Sequence, residues 1–309
     1  MAQGGARQAD RQLPAGEEIF LDHIGHFVRD REAAVRALAR AGFAAAPASI
    51  HTSPAPAGGA PQLTGTGNVT AMLARGYIEV LFKTADTALG RELDAALARY
   101  GGVHLAAFAV ADAAAAHRRL AASGLRMRPL VEMTRPVDAG GKVETAAFTI
   151  ARPAPGEMAE GRIQVLTHRT EQLVWQPRWL AHPNGAVGLR SVLIAASDVK
   201  EAAVRYARFT CRPARPSSSG QTIDLDRGQL ELISPAALSR MLPEIPPPSL
   251  PFMAAYRIAV RSIDTAESIL VRNGLKVRRS GPLLVGSFPQ ELGCGAWLFS
   301  AGDAAAVPQ

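Results

Sequence analysis

The side chains of this chain best equipped for proton transfer or metal ligation are its seven histidines, at 23, 26, 51, 104, 117, 168 and 182. None follows His182, so imidazole chemistry belongs to the first part of the sequence. Two of them fall in Leu21–Asp30, LDHIGHFVRD, which reads as a buried strand running into a helix cap. Side chains alternate along a strand, which sets His23, Gly25 and Phe27 on one face and Asp22, Ile24, His26 and Val28 on the other. Other catalytic signatures are missing: there is no GxSxG, GxxxxGK[ST], HExxH or CxxC. GGVHLAA lacks the third glycine and the acidic partner of a dinucleotide site, and Glu132 and Glu144 on neighbouring strands give no reason to expect an acid/base pair.

The elements that must position these residues repeat. Asp30, Asp112, Asp198 and Ser262 each follow an apolar strand and precede an Ala- and Arg-rich amphipathic helix. Their side chains can accept from the free N–H groups of the first turn. Twelve residues on stand Gly42, Gly124, Thr210 and Gly274, small terminators in three cases of four. Each helix is followed by strand patterns, so the sequence predicts four modules of strand, helix and three strands. In the first, Asn68–Ala74 and Tyr77–Phe82 read as strands joined at Arg75-Gly76. PASIHTSPAPAGGAPQLTGTG reads as strand ends and a mobile loop, and Thr87–Arg99 as a linking helix. In the second, LRMRPLVEM, VETAAFTI and RIQVLTHR are the late strands; Trp175, Trp179 and Pro183 pack the crossover between the halves. QTIDL and QLELIS close the third, and PEIPPPSLP is a stiff link to the fourth.

A chain of 309 residues can form about two domains. Its formal charge of +7 comes from 34 Lys plus Arg against 27 acidic residues, and only four of the 34 are Lys. That bias, with abundant Ala, reflects genome base composition, and no basic run interleaved with aromatics suggests nucleic-acid binding. Cys211 and Cys294 are lone cysteines, which fits a reducing cytoplasm. MAQGGARQADRQLPAGEE lacks an apolar core and reads as a floppy tail, and no apolar run approaches the ~20 residues of a membrane span.

With LDHIGHFVRD opening a module and GYIEVLF closing it, the chain resembles the vicinal oxygen chelate superfamily, most closely its glyoxalase-like domains. The resemblance covers nearly the whole chain in plan and the first module in detail. It implies an α+β fold in which four βαβββ modules form two incomplete, curved mixed-sheet barrels. Residues 1–17 would be a tail, 18–183 the domain holding the site, and 184–309 a degenerate copy. It also implies metal ligands on the first and last strand of each module. His23, seven residues before Asp30, matches the first-strand ligand. Leu105, Ser191 and Ala255 stand at that position in the other modules, and His104 falls one residue short, in register only if a bulge shifts its strand. Glu79 matches the last-strand carboxylate, with Gln164 and Glu231 at the same place in modules two and three.

Each assignment has a rival. His23, Glu79 and Gln164 suit a divalent Fe, Mn, Ni or Zn ion with positions open to substrate oxygens, and equally a buried His–Glu hydrogen bond in a metal-free cavity. Gln164 can coordinate through its carbonyl oxygen or orient a ligand. His168, four residues on, is an alternative ligand, a general base beside Glu79, or an exposed strand-end residue. Asn68 is a ligand-binding residue at the pocket rim or a turn former, His104 is a ligand-binding, catalytic or helix-packing residue, and His26 is a helix-packing residue or a catalyst. His182 and Asn184 read as turn chemistry, and His51 and His117 as loop and helix-surface residues. The resemblance implies a metal-dependent lyase, isomerase or dioxygenase acting on a small oxygenated molecule. The alternative is a metal-free binder of the resistance or sequestration type. Expected besides are a cytoplasmic monomer or weak homodimer, no nucleic acid and no membrane.

Overall fold

Asp30, Asp112, Asp198 and Ser262 all cap helices, each side chain accepting from backbone N–H groups of the first turn. The computed structural model describes residues 11–53 and 59–302. The first ten residues of the expected tail and positions 54–58 of the expected loop lie outside the described residues. Arg11–Glu17 is tied down: Gln12 donates to the Ala74 carbonyl at 2.6 Å and Arg227 to that of Arg11 at 3.0 Å.

The chain first runs β1 (Ile19–Phe27), α1 (Arg31–Arg40), β2 (Ser49–Ser53), β3 (Gln62–Met72) and β4 (Tyr77–Lys83). After α2 (Ala88–Arg99) come β5 (Gly102–Val110), α3 (Ala113–Ala122), β6 (Val131–Asp138), β7 (Val143–Ala151), β8 (Arg162–His168) and the short α4 (Glu171–Val174). Then follow β9 (Ala186–Ala195), α5 (Val199–Thr210), β10 (Ala214–Ser217), β11 (Gly220–Asp224), β12 (Gln229–Ile233) and α6 (Pro235–Met241). The chain finishes with β13 (Phe252–Val260), α7 (Ile263–Arg272), β14 (Val277–Ser280), β15 (Leu283–Ser287) and β16 (Ala296–Ala301). Helix α6, which the sequence reading left unassigned, starts at Pro235 behind a Ser234 cap.

Strands β1, β4, β3, β2, β6, β7, β8 and β5 pair in that order, and β5 returns to β1, making an eight-stranded mixed barrel. The expected gap is closed at one residue pair, Thr52 with Thr134, reinforced by Ser49 Oγ donating to the Pro136 carbonyl at 2.6 Å. The remaining strands stay open, in the order β10-β11-β12-β9-β13-β16-β15-β14, and join the barrel where Met253 of β13 pairs with Val103 of β5. No helix among the described residues is long and apolar enough to cross a membrane.

Two irregularities in the β1–β5 ladder decide what the barrel holds. Leu21 pairs with Phe108 and His23 with Ala107, so Asp22 is an extra residue on β1; Gly25 pairs with Leu105 and His26 with Val103, so His104 is an extra residue on β5. A bulge breaks the alternation of faces. The first is backed by the β3–β4 turn, where Gly76 has φ +75° and a Cβ would stand 2.6 Å from the Asp22 carbonyl oxygen, so only glycine fits. The interior then combines an apolar half, including Tyr77, Leu81, Leu105 and Phe148, with a set of buried polar groups.

Candidate functional site

The register brings the polar groups together. His23 on β1 lies beside Ala107 on β5, which lies beside Gln164 on β8, forming one row across three strands with only a methyl between the two polar residues. On the other side, β4 carries Glu79 next to Gly25, and Asn68 on β3 sits diagonally from Glu79. His23, Glu79, Asn68 and Gln164 are each 3–5% exposed and line one cavity of about 30 Å³. That is room for a couple of waters or one small polar group.

A chain of hydrogen bonds orders the histidine. Asp22 Oδ1 lies 2.6 Å from His23 Nδ1, and Asp22 Oδ2 lies 3.0 Å from His168 Nε2. The expectation that Asp22 faces away from His23 is therefore corrected, because the bulge turns both toward the same network. Burial alone would raise the Asp22 pKa, but the facing His168 and His23 imidazoles outweigh it and hold the carboxyl well below the usual range. An ionised carboxylate only accepts, so both facing ring nitrogens carry hydrogen. His23 Nε2 then points across 3.6 Å to Glu79 Oε2, too far for a hydrogen bond and wide enough for a ligand atom to engage both. Asn68 Nδ2 fixes the other Glu79 oxygen at 2.6 Å, and Tyr77 stacks on the His23 ring with centroids 4.3 Å apart. The Tyr77 hydroxyl is kept protonated by burial and by the nearby carboxylates of Asp22 and Glu79.

Other expected residues fall differently. His168 is buried, at 3% exposed, and is no surface strand end; it sits behind Asp22, packed on Trp175 at 4.7 Å, and is not among the cavity-lining residues. Trp175 thus packs on this network and on Tyr77. His104 is displaced by its bulge but lines an adjoining chamber, with Nε2 donating to the Tyr100 carbonyl at 2.8 Å. His51 is not a loop residue: it lies buried in β2, lines the cavity, and has Nδ1 3.1 Å from Thr66 Oγ1. His26 bridges the Leu292 carbonyl and the Tyr256 hydroxyl, each at 2.9 Å. His182 and Asn184 bond across to Met72 and Ala41, tying the connection to the barrel. In the open half, Glu231 is taken up by Ser191 at 2.5 Å and Arg257 at 3.4 Å, with no histidine beside it.

The sequence reading missed three arginines. Arg135, Arg152 and Arg162 line the same cavity, the first two buried and the third half-buried. Arg152 Nε donates to Gln164 Oε1 at 2.7 Å, Arg135 lies over the Phe148 ring and Arg162 over Phe27. Among the described residues no carboxylate comes within ion-pairing distance of any of them. Burial, reinforced by Arg162 and Arg128, pulls the Arg152 pKa down to about 9. Arg135 lies in β6, Arg152 just past the end of β7 and Arg162 at the start of β8, but an exposed Arg and an inward one look alike in a sequence this rich in arginine.

Two donors, His23 Nε2 and Glu79 Oε2, have a spacing that suits a divalent ion. The third expected ligand does not: Gln164 Oε1 is held by a guanidinium, and among the described residues no three His, Cys, Asp or Glu side chains are placed to hold a metal ion together. A dication would also face three arginines. This donor set does not fit a resident divalent ion.

The buried histidines set a pH dependence. Burial, the largest cause in each, lowers His26, His51 and His104 to about 4. The folded state keeps them neutral while the unfolded chain takes up protons below about pH 6.5, so stability falls as pH drops from there toward 4. The slope is up to about 1.4 kcal/mol per pH unit for each histidine. Urea midpoints at pH 7.5, 6 and 5 check this; a flat response would remove the assignment.

The glyoxalase-like domain family matches residues 21–210, more than half the chain. No functionally curated protein matches the sequence. Among solved structures, a hypothetical protein from Staphylococcus aureus superposes with TM-score 0.61 at 9% identity, covering 92% of this chain and 100% of its own. A triple mutant of 4-hydroxymandelate synthase from Streptomyces coelicolor gives 0.51 at 13% identity, covering 93% and 94%. A xylose isomerase-like TIM barrel/4-hydroxyphenylpyruvate dioxygenase fusion protein gives 0.55 at 12% identity, covering 96% of this chain and 51% of that one, so the chain spans about half the fusion's length. At such identities these likenesses establish the fold alone. The family match, the mixed barrel and the LDHIGHFVRD and YIEVLF strands agree: the chain belongs to the glyoxalase-like domain family.

Proposed function

We propose that this glyoxalase-like protein binds the acidic end of a small oxygenated molecule inside its barrel and can move a proton on it through His23. The observation that carries this is the set of three inward arginines, two of them buried and none in an ion pair, against one carboxylate in the cavity, Glu79, which acts on all three only at longer range. An uncompensated buried cation is costly, and an anionic ligand removes that cost. Arg135, Arg152 and Arg162 would hold the anion, and Gln164 orients Arg152. His23, its Nδ1–H fixed by Asp22, offers Nε2 as the base; Glu79, steadied by Asn68, faces it as the second proton-handling group. His168 acts behind them through Asp22. Residues 18–183 are then the functional unit. Residues 184–309 are a degenerate copy that supports it, the whole being four βαβββ modules in a cytoplasmic monomer or weak dimer.

The metal-dependent reading, a lyase, isomerase or dioxygenase with Fe, Mn, Ni or Zn on His23, Glu79 and Gln164, has a second observation in its favour besides the 3.6 Å spacing of His23 Nε2 and Glu79 Oε2. The Asp22–His23 hydrogen bond is of the kind that orients metal-bound imidazoles. Metal analysis of protein purified without chelator or His tag separates the two readings. The expected content is far below one ion per chain. Stoichiometric metal, lost in His23→Ala and Glu79→Ala but kept in Glu231→Ala, would replace the metal-free reading. Ligand-observed NMR with acetate tests the anion site directly, and absence of saturable binding would sink it.

A further inference from the structure

The inner cavity is too small to enclose a whole metabolite, and it shares part of its wall with a larger chamber. Arg152 and Arg162 line both spaces, and the outer one has a volume of about 260 Å³. Its wall adds Arg99 and Arg128 from outside the barrel, so four guanidiniums surround it against a single lining carboxylate, Glu92. Glu92 is already paired with Arg128 at 2.7 Å. Arg99 is exposed, lies over the Tyr100 ring and donates to the carbonyls of Ala159 and Pro251, each at 3.1 Å, so among the described residues no carboxylate pairs with it. A second, independent feature points to a ligand. His104 is fully buried and lines the chamber; its Nε2–H is used by Tyr100, and its Nδ1 has no partner. With Nε2 carrying the hydrogen, Nδ1 can only accept.

We propose that this outer chamber is a second subsite that takes a phosphate monoester group, so that the ligand is a two-ended anion. One acidic end enters the inner cavity beside His23, and the phosphate stays among Arg99, Arg128, Arg152 and Arg162. Guanidinium forks match phosphate oxygens in pairs, and a dianion balances most of the excess positive charge. A monoester dianion carries no hydrogen of its own, so the hydrogen that His104 Nδ1 accepts comes from a hydroxyl on the carbon part of the ligand. This rests on the anion-binding reading of the inner cavity but is tested apart from it.

The experiment is calorimetric titration of the full chain with inorganic phosphate at fixed ionic strength, with malonate and acetate as comparison anions. Saturable phosphate binding is expected, weakened about tenfold or more by Arg99→Gln and by Arg128→Gln. It should change by less than about twofold in Arg135→Met, a residue that lines the inner cavity and not the outer chamber. Glu92→Gln should tighten it severalfold, a gain that misfolding cannot mimic. Absence of phosphate binding to the wild type, malonate binding as well as phosphate, insensitivity to Arg99→Gln and Arg128→Gln, or no gain in Glu92→Gln would each overturn the outer subsite. Phosphate lost only in Arg135→Met would do so too while leaving the inner anion site standing, whereas loss of acetate binding alone would remove the inner site.

Discussion

Asp22→Ala is expected to destabilise the protein by about 3–5 kcal/mol, because it removes the shared partner of two buried imidazoles. The carboxylate is 0% exposed, and it alone accepts from both His23 Nδ1 and His168 Nε2. His168 Nδ1 already has no partner, so the mutant would leave that ring with none. Asp22→Asn separates charge from shape. Its amide must present N–H to one of the two rings, which then has to accept, so at least one imidazole changes tautomer at a cost of about 1–3 kcal/mol. Urea unfolding gives the stabilities and nitrogen NMR of the imidazoles gives the tautomers; unchanged tautomers in Asp22→Asn would dismiss the ordering role. The acid limb adds a further check. The folded-state pKa of Asp22 lies below its unfolded value, so its contribution is in place above about pH 4 and is lost as pH falls further. That window lies beneath the one set by the buried histidines, and Asp22→Ala should flatten it.

Arg135→Met is expected to move stability and binding in opposite directions. Arg135 is 7% exposed, lies over the face of Phe148 and feels Glu79 only at longer range, with no hydrogen bond or ion pair among the described residues, so replacing it strands no hydrogen-bonding partner. Methionine of similar length removes a buried cation that has no ion pair, and the unliganded protein should gain about 1–2 kcal/mol. The same change should weaken binding of acetate about a hundredfold, the effect of deleting one member of a buried charge pair. Arg152→Met is a poorer test, because it would leave Gln164 Oε1 without its donor. A less stable Arg135→Met protein, or one that binds acetate as before, would mean that the arginines serve the fold and not a ligand.

The order of strands and helices was legible from the sequence because it rests on local physics. Capping side chains, helix terminators and apolar periodicity each act within a few residues, and Asp30, Asp112, Asp198 and Ser262 mark their helices as expected. The convergence of His23 with Glu79 was also legible, through equal parity on the first and last strands of one unit. Tertiary structure decided the rest. An extra residue on β1 turns Asp22 toward His23 against simple alternation, and an extra residue on β5 sends His104 into the outer chamber. Nothing in the local pattern marks either bulge, because each arises from matching two strands 80 residues apart in sequence. The same holds for charge. Arg135, Arg152 and Arg162 look like ordinary solvated arginines until the closing of β2 on β6 encloses them, and their electrostatic meaning exists only once water and counter-charge are excluded.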